Sequence, residues 1–308
     1  MKILVFGAGV LGCNLARNFF QARKDVTLLA RGNWAEEIKK NGLRIKNQIL
    51  PYTTKSRIAI VTELKAEDEY DVIFVAVRYT QIETITEVLR ANITRNIVFV
   101  GNNVRAEEVV ASLPEKNVLF AFSSSAGRRE KDKVVSIDLK KITIGQILNG
   151  KSNEKFISQI FDGTKYKVAY EPNMGDFLLC HASFVIPAVF ACYKTDGNLK
   201  KLKGNVSYVN KIIDANIEAY RAIKNAGHEI LPNEDKDFES DAYRKNMLRF
   251  FKIAFATKVG KICISDHAMN AIGEMNALNR DLKGFFDKQG AEYPVWRELE
   301  KDCESYLK

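Results

Sequence analysis

The chain has 308 residues, 46% hydrophobic and 28% charged, the balance of a folded globular protein and enough, at about 100–200 residues per domain, for two domains. No run approaches the roughly 18 consecutive apolar residues of a membrane span. The five cysteines are scattered without C-x-x-C spacing, which excludes a zinc site or disulfide framework and makes a cytoplasmic setting the expectation. The net charge of +9 lies wholly in the first half: residues 1–170 hold 27 Lys+Arg against 18 Asp+Glu, and residues 171–308 hold 20 of each. Long basic runs are missing, so the bias suits a small anionic ligand rather than nucleic acid.

Residues 3–6 form a short apolar run that stops at Gly7 and reads as a buried strand. From Val10 to Phe20, Val10, Leu11, Leu15, Phe19 and Phe20 recur at helical spacing, and residues 26–29 read as a second strand. This is a βαβ unit of a parallel sheet. The alternation continues with strands at 72–76, 97–100 and 118–120 and helices at 81–89 and 106–113. Residues 134–137 and 142–144 read as an antiparallel pair, and a helix follows near 154–161. The succession predicts a Rossmann-type, doubly wound α/β domain. After about residue 170 the pattern is helical throughout: 177–193, almost entirely apolar, then 206–226, 241–256, 269–288 and 295–307. The expected division is a dinucleotide-binding domain over 1–168 and a helical substrate or dimerisation domain over 169–308.

Gly7-Ala8-Gly9-Val10-Leu11-Gly12 fits G-x-G-x-x-G directly after a strand and at the opening of a helix. The first glycine permits a tight turn, the second lets backbone N–H groups approach a pyrophosphate, and the third lets helix and strand pack closely. At the end of the second strand, where an acidic side chain would hold the ribose of NAD, the chain has Arg31. A guanidinium there pairs with a 2′-phosphate, so NADP(H) is the expected cofactor. Arg78, after the strand at 72–76, and Asn102, after the strand at 97–100, stand where ligands of open parallel sheets sit.

Together these residues resemble the ketopantoate reductase (2-dehydropantoate 2-reductase) family over nearly the full length. The resemblance rests on G-A-G-V-L-G, Arg31, V-R-Y-T-Q at 77–81, Asn102, Gly145 closing I-T-I-G, Gly197, and Glu274 opening E-M-N-A-L-N. It implies a cytoplasmic NADPH-dependent oxidoreductase that reduces a 2-keto acid between its two domains, a step of pantothenate biosynthesis. It further implies cofactor contacts by residues 7–12, Arg31, Arg78, Asn102, Gly127 and Glu274, and a substrate contact by Asp196. A small-molecule carbonyl is then the partner, nucleic acid and membrane are not, and a homodimer is left open.

One departure is chemical. The family's central helix carries K-x-x-x-N-x-x-x-N-P, with lysine as general acid. Anchored on Pro187, this chain has Leu178, Ala182 and Ile186 at those positions. The family's serine aligns with Ile262. A forming alkoxide needs a positioned acid, so Glu274 is the surviving candidate for the catalytic role, with His181 and Lys194 as alternatives. His181 reads more simply as a core histidine, and His228 and His267 as isolated. The expectation is therefore a reductase with a remodelled pocket, or an NADP(H)-binding protein on the same fold that no longer turns over.

Overall fold

The apolar runs of the first half form strands buried along their length, as parallel strands between helical layers are. A computed structural model describes residues 1–147 and 152–307 and divides into two units, Met1–Gly175 and Asp176–Lys308. In chain order the first unit contains β1 (Lys2–Phe6), α1 (Val10–Gln21), β2 (Asp25–Leu29), α2 (Gly32–Asn41), β3 (Leu43–Asn47), β4 (Thr53–Ser56), β5 (Ala59–Val61), β6 (Val72–Val75), α3 (Ile82–Ala91), β7 (Asn96–Val100), α4 (Ala106–Ser112), β8 (Asn117–Arg129), β9 (Val134–Gly145), α5 (Glu154–Phe161) and β10 (Lys167–Tyr170).

Six of these strands run parallel in the order β5-β2-β1-β6-β7-β8. This is the doubly wound core, and its direction of growth reverses between β1 and β6, the place where such sheets take ligands. Beyond β8 the sheet continues through β9, β3 and β4, with β10 also paired to β9. Phe19 of α1, Phe74 of β6 and Phe161 of α5 meet beneath the sheet, with centroids 5.1, 5.6 and 6.0 Å apart.

Three expectations are corrected here. Residues 134–137 and 142–144 are not a hairpin but parts of one strand, β9, whose antiparallel partner is β8. The polar residues between them hide this continuity. Asp138 is drawn inward, where Arg17 Nη2 and Asn18 Nδ2 of α1 donate to its Oδ2 at 2.7 and 2.9 Å. Lys140, at φ +57, donates to the same oxygen from Nζ at 2.7 Å. Ser123, Ser124 and Ser125, read as a loop after the strand at 118–120, lie within β8, and Asn14 of α1 donates to Ser125 Oγ at 2.8 Å. The division also falls later than 168/169, because β10 pairs with β9 and so holds residues 167–170 in the first unit's sheet. Helix α2 and strands β3, β4, β5 and β10 had no assignment from the pattern, being short, polar or both.

Helix α6 (Met174–Lys194) leads into the second unit, followed by α7 (Val206–Asn225), α8 (Asp241–Ala256), a single turn α9 (Lys258–Gly260), α10 (His267–Asn270), α11 (Ile272–Lys288) and α12 (Pro294–Lys301). The helix expected over 269–288 is broken at Ala271, where φ is −130°, and the one expected to reach Leu307 ends at Lys301. By length and composition α6 is apolar enough to cross a membrane, but it is mostly buried, as the core helix of a helical bundle is. The bundle centres on Trp296, fully buried, with Phe190 and Phe286 edge-on at 5.7 and 5.4 Å. Glu218 of α7 caps α12 by accepting the Val295 and Trp296 N–H groups at 3.0 Å each.

Candidate functional site

The turn after β1 sits at the reversal point of the sheet, and its three glycines have different reasons to be glycine. At Gly7 (φ +112°) a Cβ would stand 2.5 Å from the carbonyl oxygen of Ala76, at the end of β6. At Gly12 a Cβ would stand 1.9 Å from the carbonyl oxygen of Gly7. Both are required by the fold itself. Gly9 has nothing within 4 Å of where its Cβ would be. It is the N-cap of α1, and having no side chain it caps none of the first-turn N–H groups. Those donors, at the positive end of the helix dipole, therefore border open space that suits an anion. Ala8 is buried, and its carbonyl accepts Trp34 Nε1 of α2 at 3.0 Å. Val10 and Leu11 are half-buried against the core.

Arg31 caps α2 in extended conformation, is exposed, and holds its guanidinium 6.0 Å from the ring centroid of Phe6, the last residue of β1. It thus stands beside the carboxyl ends of β1 and β2. Arg129, at the end of β8, lies over Trp34 at 5.7 Å, a second cation near the turn that the sequence reading passed over. Burial pushes the Cys13 thiol of α1 up to about 12, so it stays protonated.

The other two strand ends supply Arg78 and Asn102. Arg78 is exposed after β6, and its backbone N–H donates to Gln81 Oε1 at 3.2 Å. Asn102 follows β7, and its Oδ1 is buried with no partner among the described residues, as is Nδ2 of Asn103. Orphaned buried polar atoms are rare in native proteins and ask for an explanation such as a ligand. Gly127 differs. A Cβ there would stand 2.2 Å from the Val135 carbonyl oxygen across the β8–β9 ladder, so strand pairing by itself explains this glycine.

In the second unit, Leu178, Ala182 and Ile186 share one face of α6 at 1%, 0% and 1% exposure. Ile262 is buried too. His181 stacks on Phe177 with centroids 6.2 Å apart. Burial, helped by neighbouring His267, pushes His181 down to about 4, and burial also lowers His267. A neutral imidazole at pH 7 is a poor general acid. Lys194 is engaged by Asp302 at 2.6 Å. His228 is not isolated as expected: its Nδ1 lies 2.7 Å from Asp176 Oδ1, while Asp176 Oδ2 accepts the Glu229 N–H at 2.7 Å. Glu274 is half-buried in the first turn of α11. Asp196, at φ +50°, accepts the Tyr306 hydroxyl at 2.9 Å and lines a cavity of about 670 Å³ with Lys200, Thr257, Lys261 and Met269.

Residues 3–152 match the family profile described as Ketopantoate reductase PanE/ApbA. Those residues, just under half of the chain, therefore form a domain of the ketopantoate reductase PanE/ApbA type. The fold is also that of solved structures. The 2-dehydropantoate 2-reductase of Geobacter metallireducens GS-15 is similar at 17% identity and TM-score 0.79, with 99% of each chain covered. The dimeric ketopantoate reductase of Staphylococcus aureus is similar at 13% and 0.74, covering 100% of this chain and 99% of that one. A D-mandelate dehydrogenase in complex with NADH is similar at 15% and 0.78, again covering 100% and 99%. A comparison with curated protein sequences finds no match.

Gly145 and Gly197, on which the sequence resemblance partly rested, have structural grounds. A Cβ on Gly145 would stand 1.7 Å from the Glu171 carbonyl oxygen, and Gly197 turns the chain at φ +76° against Met269 and Ser265. The first unit therefore brings Gly7–Gly12, Arg31, Arg78 and Asn102 to the carboxyl ends of neighbouring strands. What the sequence did not show was the buried Nδ2 of Asn103 beside Asn102, and the indole of Trp34 as an anchor of the turn. The Ala35 and Ile38 spacing behind Trp34 was the available signal for α2.

Proposed function

We propose that this chain is an NADP(H)-dependent oxidoreductase of the ketopantoate reductase family that reduces a 2-keto acid or related carbonyl in a remodelled pocket. The observation that carries the reading is the open side of Gly9 between two glycines closed by packing. The fold forces Gly7 and Gly12, whereas Gly9 keeps space free of protein in front of uncapped N–H donors. In this reading residues 7–12 hold the pyrophosphate, Arg31 pairs with a 2′-phosphate, and Arg78 and the orphaned Asn102 Oδ1 meet the ribose or nicotinamide side. When bound, the reduced nicotinamide supplies a hydride to the carbonyl. Glu274 and Asp196 are the residues of the second unit assigned to orient substrate, with Glu274 as proton donor.

The buried apolar face of Leu178, Ala182 and Ile186 favours a second reading, a protein that binds NADP(H) without turnover. Fluorescence titration and NADPH oxidation separate the readings. NADPH is expected to bind at least tenfold more tightly than NADH, and Arg31→Ala to abolish the preference, since a charge-assisted hydrogen bond contributes roughly 1.5–3 kcal/mol. Equal affinities in the wild type refute the cofactor assignment. Consumption of NADPH with any member of a 2-keto acid panel supports the enzyme; tight binding with no consumption supports the binding protein.

A further inference from the structure

Between Asp241 and Asp266 the chain runs through residues 242–265 with six lysines and arginines and no aspartate or glutamate. Helix α8 takes up most of this stretch. Its buried side is Tyr243, Phe251, Ala254 and Phe255. The remaining surface carries two adjoining strips at helical spacing. On one, Phe250 is 42% exposed and Ile253 57% exposed. On the other are the exposed cations Lys245, Arg249 and Lys252. The following turn adds Val259, 41% exposed, with Lys258 and Lys261 beside it. The short turn Leu199–Leu202, which packs against α8, contributes exposed Lys200 and Lys201. Among the described residues, the ion pair on α8 is Arg244 with Asp214 at 2.6 Å.

We propose that this face adsorbs to an anionic phospholipid surface, with α8 lying along it. An apolar strip flanked by lysine and arginine is the pattern of helices that rest in the interfacial plane: the apolar side chains enter the headgroup boundary and the cations meet lipid charge. Charge complementarity decides among occupants. A second copy docked by a two-fold axis would set the cationic strip against itself. A nucleic acid would offer phosphates to the cations and leave Phe250, Ile253 and Val259 without a partner. Adsorption needs one helical face and no spanning helix. Lys200 and Lys261 also line the cavity beside Asp196, whereas the exposed α8 residues Lys245, Arg249, Phe250, Lys252 and Ile253, on which the proposal rests, do not.

The test is cosedimentation of the full chain with phosphatidylcholine vesicles, with and without phosphatidylserine, at low and high salt. Binding is expected to the mixed vesicles alone and to be lost in high salt. Lys245→Gln, Arg249→Gln and Lys252→Gln should each weaken it by about fivefold. Ile253→Ser should weaken it at constant charge, Ile253→Trp should preserve it with a blue-shifted emission, and Lys155→Gln in the other unit should leave it unchanged. These positions are exposed, so thermal melts should match the wild type. Absence of binding, equal binding to neutral vesicles, indifference to the α8 changes, tighter binding to a polynucleotide, or a solution dimer abolished by Ile253→Ser would each overturn the proposal.

Discussion

The β1–α1 turn and helix α6 are both places where the resemblance to ketopantoate reductases implies functional residues, and they differ in this chain. The turn retains every glycine, and two of the three are demanded by backbone atoms within 2.5 Å of a would-be Cβ. Helix α6 has the length and the proline of the resemblance but an apolar, fully buried face where lysine and two amides are expected. A site made of backbone is tied to the fold, because removing it means breaking the fold. A site made of side chains is not: leucine, alanine and isoleucine fill the same helix face with no backbone rearrangement and are stabilised there by burial. That asymmetry lets a side-chain site change while the architecture stays the same.

The sharpest test sets two glycines of one turn against each other. Gly12→Val drives its side chain into the Gly7 carbonyl, and the variant should fail to fold cooperatively or to remain soluble. Gly9→Ala meets no protein atom, so its stability should stay within about 0.5 kcal/mol of wild type while NADPH affinity falls at least tenfold. A Gly9→Ala protein that binds NADPH normally would remove the main support for the dinucleotide site.

Next in size is Leu178→Lys. A charged ammonium at a position 1% exposed, without amide partners, should cost on the order of 3–5 kcal/mol, as an uncompensated buried charge does. It should restore little reduction of ketopantoate. Leu178→Lys with Ala182→Asn and Ile186→Asn should restore more, measured by NADPH absorbance. If the single variant is as stable as wild type in urea, the face is solvated and the comparison fails.

The third effect is a pH dependence. His181 sits near 4 in the folded protein against about 6.5 unfolded. The unfolded state therefore binds more protons between those values, so stability is complete above about pH 6.5 and falls as the pH drops toward 4. From pH 7 to pH 5 the loss from this residue should be about 2 kcal/mol, read from urea midpoints. His181→Gln should flatten the slope; an unchanged slope would show that the imidazole is solvated. Smallest is Trp34→Phe, which removes the indole donor to the Ala8 carbonyl. It should lower stability by about 1 kcal/mol and weaken NADPH binding by loosening the turn, with NADH affected equally.

How much of this was legible follows from the range of the interactions involved. The strand–turn–helix–strand order, the glycine turn, Arg31 at the end of β2 and the wholly helical second half all rest on neighbours a few residues apart. Periodicity and turn sterics report such neighbours directly. The β8–β9 ladder was misread because Asp138 and Lys140 look like a turn, until Arg17 and Asn18, more than a hundred positions earlier, come in to satisfy the carboxylate. His228 looked solitary for the same reason, its partner Asp176 being 52 positions away.

What the sequence by itself determined is local: the strand–turn–helix–strand opening, the glycines of that turn, and the apolar runs of the helices. The tertiary structure alone decided what those features mean. It showed that Gly9 is the glycine of its turn with open space, that Asn102 Oδ1 is buried without a partner among the described residues, that the apolar face of α6 is buried, and that Phe250 and Ile253 are exposed. The physical reason is that local sterics are encoded by adjacent residues. Burial and the satisfaction of polar groups are properties of whatever distant segment arrives opposite, and no periodicity announces its arrival.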